Sequence, residues 1–316
     1  MKKIITAEMA EGFAKVSRDE NCLHSNSEMW QCYGVPALVP GMQTLCTALA
    51  SIDPNEITGL NYVRANFQRM IPVGSEVEFT NEPIKRGFWK GILEKLLSED
   101  ATARDIKILA IANGFDTLEG KDEHSLATRV VLNTKPYFNE GDVPVNLAVN
   151  PLDVEKFAEL TELPREAVSA LYALSLSSSS IASRIMHPSA PSWQELHDSL
   201  AASVERRKIP AYESIEAYFP GGFKQYKLEK GLVLRSAIRK EGNVYVIDTI
   251  CDTEDERIYG VRANLKQRRQ EVIVKGICAL LDDLDEKGNA GALAESIQRR
   301  KEFLAQISSS QPHQAA

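Results

Sequence analysis

Residues 41–52, GMQTLCTALASI, run for twelve positions without a charged side chain. They are entered through YGVPALVPG at 33–41, a loop with two prolines and two glycines. A helix of that composition offers no face to water and must be buried on nearly all sides. Gly41 falls at its N-terminus, and Asp53-Pro54 ends it. The segments that follow read as strands. In 61–67, Val63, Ala65 and Phe67 point one way while Tyr62, Arg64 and Asn66 point the other, which is period-two alternation. Further strands are predicted at 76–80, 88–97 and 105–113. One buried helix wrapped by a curved antiparallel sheet is the simplest α+β architecture with this order.

The pattern then restarts. A segment with loop signals and one strand candidate (128–133) separates the two parts, and DVEKFAELTEL at 153–163 echoes AEMAEGFAKVSRD at 7–19. A helix is predicted at 164–186, with strands at 211–219, 231–239, 244–251 and 257–265. A period of about 145 residues is too long for a solenoid and fits a duplicated domain. The expected division is an N-terminal module 1–118, a connector 119–150, a C-terminal module 151–265, and a helical extension with a frayed tail over 266–316. With 316 residues, 43% of them hydrophobic, the chain has material for two cores.

Composition removes several classes of function. The net charge is −7 and no broad basic stripe occurs, so nucleic acid is not an expected partner. No run of 18 apolar residues is present, so no membrane span is expected. The opening MKKIITAEMAEGF supplies no apolar signal core. The five cysteines form no C-x-x-C pair, which points to a reducing, cytoplasmic setting. Cys22 reads as a packed small hydrophobe rather than a reactive thiol. His124, His187 and His197 lack companion ligands, so neither a metal nor another cofactor is expected. Ser177–Ser180 read as small residues that allow close packing, and Lys266–Arg269 as a solvated helix face.

The chemistry-bearing segment lies just ahead of the buried helix. Asp19, Asn21 and His24 form the pattern D-x-N-x-x-H. A carboxylate and an imidazole on one turn can face a single cavity and hold or deprotonate one water, as adding water across an activated double bond requires. Asn21 could fix the water or the imidazole tautomer through its amide. Gly41 offers an unpaired backbone N–H at a helix N-terminus, where negative charge on a carbonyl oxygen is favoured and a ligand can approach closely.

These residues resemble the fingerprint of the MaoC-type (R)-specific enoyl thioester hydratases of the hot-dog superfamily, roughly S-G-D-x-N-P-[IL]-H followed by H-G-[ML]. Here S-R-D-E-N-C-L-H precedes P-G-M, with Gly41 17 residues after His24, and Phe67 and Gly74 keep the spacing of the family's strand and turn. The chain departs from the fingerprint at Arg18, Cys22 and Pro40, where the family has Gly, Pro and His. The resemblance covers about 100 N-terminal residues well and the C-terminal half poorly. It implies two hot-dog modules with C-terminal helices, Asp19 and His24 as catalytic residues, and Asn21 and Gly41 as substrate-binding residues. The implied reaction is reversible hydration of trans-2-enoyl to (R)-3-hydroxyacyl thioesters carried on coenzyme A or an acyl carrier protein. A hot-dog thioesterase and a non-catalytic acyl-thioester binding subunit are the alternatives. The thioesterase is disfavoured because the helix 41–52 has no carboxylate. Two joined modules can form the pseudo-dimer that single hot dogs build by pairing, and a homodimer of the whole chain stays open. Aligning Phe13 with Phe157 sets Leu163 against Asp19 and Val168 against His24, so only the N-terminal module is expected to be catalytic. The aromatics Tyr212, Tyr218, Phe219, Phe223 and Tyr226 read as packing of the second sheet, with a lining role in an acyl tunnel also open.

Overall fold

The computed structural model describes residues 1–19, 21, 23–24, 34–57, 60–67, 70–83, 106–112, 126–131, 138–139, 141, 144–186, 208–242, 244–288 and 291–310. The strand expected at 88–97, Cys22, and the histidines at 124, 187 and 197 lie outside these residues.

The elements run β1 (Lys2–Ile4), α1 (Ala7–Ser17), α2 (Gly41–Ala50), α3 (Pro54–Ile57), β2 (Tyr62–Phe67), β3 (Glu76–Pro83), β4 (Ile106–Ala112) and β5 (Leu126–Val131). The series continues with β6 (Pro144–Leu147), α4 (Pro151–Thr161), α5 (Arg165–Met186), β7 (Lys208–Tyr218), β8 (Leu232–Glu241), β9 (Val244–Asp252) and β10 (Arg257–Arg269). Helices α6 (Gln270–Glu286) and α7 (Ala294–Ser310) end it. Among the described residues no helix is long and apolar enough to cross a membrane.

Among the described residues, ten strands join one antiparallel sheet in the order β1-β3-β4-β5-β2-β7-β10-β9-β8-β6. The order is a palindrome of two halves. Each half has five strands, each holds one long-buried helix, and β2 meets β7 at the seam. There Tyr62, Arg64 and Asn66 pair with Tyr218, Glu216 and Ser214, and the Tyr62 hydroxyl donates to Glu216 Oε1 at 2.6 Å. The alternation read from 61–67 holds at its centre, where Val63 and Ala65 are fully buried and Arg64 is exposed, while Tyr62, read on the other face, is buried as well. Helix α2 is buried from Met42 to Leu49, as its uncharged composition requires.

The repeat is local as well as topological. Thr6 caps α1 by accepting from the Met9 N–H, and Asn150 caps α4 by accepting from the Leu152 N–H. Ser17 Oγ donates back to the Phe13 carbonyl at 2.8 Å, and Thr161 Oγ1 to that of Phe157 at 2.7 Å. Both helices stop on a left-handed residue, Arg18 (φ 54°) and Glu162 (φ 57°). Cap, phenylalanine, hydroxyl and stop all repeat at an offset of 144 residues. The two phenylalanine rings touch with centroids 5.5 Å apart, and each fully buried ring contributes roughly 1.5–3 kcal/mol.

One expectation, Lys266–Arg269 as a helix face, needs correction, and the connector and the edge strands carry more structure than the sequence signalled. The segment 119–150 contains β5, paired with β4 and β2, and β6, paired with β8, so it contributes a strand to each half. Lys266–Arg269 continue β10, because β7 extends far enough to pair them with 208–211, and the helix begins only at Gln270. The edge strands β1 and β6 had no sequence signal. At three and four residues they are too short to display a period, and tertiary pairing alone makes them strands.

Candidate active site

The left-handed Arg18 turns the chain off the end of α1, and the Asp19 N–H then bonds back to the Ala14 carbonyl at 2.8 Å. A side chain in that region is strained, so Arg18 is a departure from the resembled fingerprint's glycine that carries a backbone cost. Two successive side-chain turns follow. Asp19 Oδ1 accepts the Asn21 N–H at 3.0 Å, and Asn21 Oδ1 accepts the Leu23 N–H at 3.1 Å. The spacing D-x-N-x-x-H thus records local folding as well as chemistry. It leaves Asp19 Oδ2 3.9 Å from His24 Nε2, both side chains about one-seventh exposed. That separation is too long for a direct hydrogen bond and short enough for one water to bond both.

The imidazole is fixed from its other side. His24 Nδ1 lies 3.0 Å from the Leu38 carbonyl oxygen, which can only accept. Nδ1 is therefore the protonated nitrogen of the neutral ring, and the Nε2 lone pair faces Asp19. The tautomer-fixing role considered for Asn21 on sequence grounds thus falls to the Leu38 carbonyl, while Asn21 Oδ1 accepts the Leu23 N–H. Leu38 is tied in place by its N–H to the Leu23 carbonyl at 2.8 Å and by a β-bridge to Pro72.

Gly41 opens α2 as expected. Its cap residue Pro40 brings no side-chain hydrogen bond, and the Pro40 carbonyl takes the Thr44 N–H as the first helical bond. The N–H groups ahead of Thr44 have no partner within the helix. The Phe67 ring lies so close over Gly41 that a Cβ there would stand 3.0 Å from it.

Asp19, Asn21, His24 and Gly41 all line one cavity of about 110 Å³. Its walls include residues that sequence reasoning did not assign to the site: Thr44 and Met70 from the N-terminal half, and Ser178, Ser179 and Ile215 from the C-terminal half. Tyr212 also lines it. Its hydroxyl donates to the Ser178 carbonyl at 3.0 Å, and burial, with the Asp19 carboxylate nearby, pushes its proton affinity well up. Ser178 and Ser179 donate to their own helix carbonyls, Leu174 and Ser175, and so present little free polarity. This matches the close-packing reading of the serine run. Buried Cys46 and Cys251 are inert as thiols, since burial pushes each to about 12.

Among the described residues the second half shows no counterpart of this site. Helix α5 starts three residues after Glu162, whereas α2 starts 23 after Arg18, so the segment that carries the dyad has no equivalent. Leu163 and Val168 are buried beside a separate groove of about 410 Å³, together with Tyr226 and Leu228.

No protein-family model and no curated protein matches the sequence. Solved structures do. Peroxisomal multifunctional enzyme type 2 from Drosophila melanogaster matches at a TM-score of 0.50 with 10% identity, over 84% of this chain and 48% of that one. A Mycobacterium tuberculosis protein with a double hot-dog fold matches at 0.49 and 10% identity, over 85% of this chain and 94% of that one. A structure described as a MaoC domain protein dehydratase from Chloroflexus aurantiacus matches at 0.49 and 9% identity, over 85% of this chain and 93% of that one. Structures described as thioesterases also match, at 0.40 and 0.41. By its topology, two five-stranded antiparallel halves each around a buried helix, and by its likeness to the Drosophila structure, the chain has a double hot-dog fold.

Proposed function

We propose that the chain is a hydro-lyase that interconverts trans-2-enoyl and (R)-3-hydroxyacyl thioesters, carried on coenzyme A or an acyl carrier protein, in the cytoplasm. The observation that carries this reading is the orientation of the dyad. His24 gives its one N–H to a backbone carbonyl, so its basic nitrogen faces Asp19 across a gap that suits a single water, inside the cavity that Gly41 also lines.

Asp19 Oδ2 and His24 Nε2 hold the water, and the dyad takes a proton from it as its oxygen bonds to C3. The C2–C3 π pair moves toward the thioester carbonyl, whose oxygen gains charge as an enolate forms. The Gly41 N–H, at the positive end of α2, stabilises that oxygen. Return of the proton to C2 completes the addition, and dehydration reverses each step. Asn21 holds the turn that aims the carboxylate. With no dyad among the described residues of the C-terminal half, the reading gives one reacting site per chain.

Hydrolysis of the thioester is the rival reaction in this fold. Helix α2 carries no carboxylate along its buried length, which favours hydration. The test is incubation of the purified protein with crotonyl-CoA, following enoyl absorbance and then product configuration. Asp19→Asn and His24→Ala are each expected to lower turnover by about 10²–10⁴-fold with the fold retained. Thioester cleavage without hydration, an (S)-product, or wild-type turnover in either variant overturns the assignment.

A further inference from the structure

Strand β7 carries an irregularity that bears on which acyl groups the site accepts. From Ile215 to Phe219 its alternate residues point inward: Ile215, Ala217 and Phe219 are buried. Continued alternation would send Tyr212 to the outer face. The pairing with β10 instead slips by one residue, with Asn264 opposite Ser214 but Leu265 opposite Tyr212, so Glu213 is a bulge. Ala263 and Leu265 are both inward and buried on β10, and their partners are Ile215 and Tyr212. The bulge therefore turns Tyr212 onto the same face as Ile215, and both line the cavity that holds Asp19 and His24.

Once turned inward, Tyr212 is held there. Its hydroxyl donates to the Ser178 carbonyl on α5. Its ring packs against both the main core and a separate apolar cluster of Ile181, Tyr245, Ile247 and Leu265. Tyr212 is thus a partition, with the reacting groups' cavity on one side and an apolar region on the other. Ser178 and Ser179 keep the adjoining wall low, since their hydroxyls are spent on their own helix.

We infer that Tyr212 sets the depth of the acyl cavity, so that the site selects short-chain acyl thioesters. This rests on the acyl-thioester reading above. Removing the ring frees its own volume at the end of the cavity, against the packed side chains of that cluster, and lets a longer chain reach further toward the C-terminal half. Each methylene brought out of water is worth about fourfold in kcat/KM.

The experiment compares full-length wild type with Tyr212→Ala, Tyr212→Leu and Tyr212→Phe on crotonyl-, hexenoyl-, octenoyl- and decenoyl-CoA. Binding of butyryl- and octanoyl-CoA, which cannot react, is measured by calorimetry on the same proteins. Wild type is expected to favour the two shorter substrates. Tyr212→Ala should raise the octenoyl-to-crotonyl ratio of kcat/KM by about 10–10²-fold. Tyr212→Leu should move it less in the same direction, and it keeps the test alive if the alanine variant does not fold. Tyr212→Phe, which keeps the ring, should keep the wild-type length profile. An unchanged length profile in both the alanine and the leucine variants, in turnover and in binding, overturns the inference. If no protein hydrates any substrate but the binding preference still shifts from butyryl toward octanoyl, the depth role stands and the hydratase reading fails.

Discussion

Gly41→Ala separates what Gly41 does for the fold from what it does for the site. The added Cβ would stand 3.0 Å from Phe67 Cε1, 0.4 Å inside the 3.4 Å at which ordinary contact begins. The obstruction is the ring of a half-buried side chain at the end of β2, which can yield, rather than backbone. Gly41 also has no positive φ, so alanine meets no backbone strain. Replacing a helical glycine with alanine favours the folded state by about 0.5–1 kcal/mol, which offsets the ring's displacement. Stability should therefore hold or rise slightly. The site should fare worse, because Phe67 lines the same cavity and the methyl stands beside the N–H proposed to bind the thioester carbonyl. If a 1 Å misplacement costs about 10²-fold, a shift of 0.4 Å scales to somewhat under 10-fold in kcat. Thermal unfolding and crotonyl-CoA kinetics on one preparation test both halves of the argument. Full turnover with an unchanged melting temperature would show that substrate does not approach Gly41. Loss of the folded state would show that the ring cannot yield.

Two further outcomes follow from the geometry. Arg18→Gly relieves a left-handed residue at a cost in unfolded-state entropy, for a net gain of about 0.5–1 kcal/mol, visible as about 1–2 °C in Tm. Glu162→Gly, at the matching position, should gain less, because it also removes the ion pair with Lys3 at 3.1 Å. Asp248 is the second case. Burial raises its pKa, but the Arg262 guanidinium, the Asn139 N–H and Arg239 outweigh that and hold it below the usual carboxylate value. A carboxyl depressed in the folded state adds stability above its unfolded pKa and loses it as the pH falls toward the folded one. Acid unfolding should therefore steepen below about pH 4. Asp248→Asn should cost about 1.5–3 kcal/mol at neutral pH and flatten that acid limb in denaturant titrations across pH.

The sequence exposed what rests on local pattern. The uncharged run 41–52, the alternation at 61–67, and the echo of Phe13 in Phe157 are each visible because burial imposes a period or a composition on contiguous residues. Asp19, Asn21 and His24 were legible as a pattern because Asp19 and Asn21 each accept the N–H two residues on, which confines the polar residues to one short stretch. What escaped depends on distant segments. The short edge strands β1 and β6 exist only through their partners, and the tautomer of His24 is set by Leu38, 14 residues on. Tyr212 faces inward only because β10 pairs with β7 out of step, and no pattern within 208–218 marks that slip.

The bond between His24 and Leu38 bears on how such a site can change over time. Where an imidazole is aligned by a neighbouring carboxylate, one codon change can remove the aligning group. Here the aligning group is a main-chain carbonyl, which every residue supplies. Substitution at position 38 can alter packing but cannot delete the acceptor. The feature is lost only if the backbone moves, and the Leu23 carbonyl and the bridge to Pro72 both hold it. The alignment of His24, though not His24 itself, is thereby insulated from point mutation, so drift in a lineage of such chains can remove the dyad only at positions 19 and 24 and not at the residue that orients it.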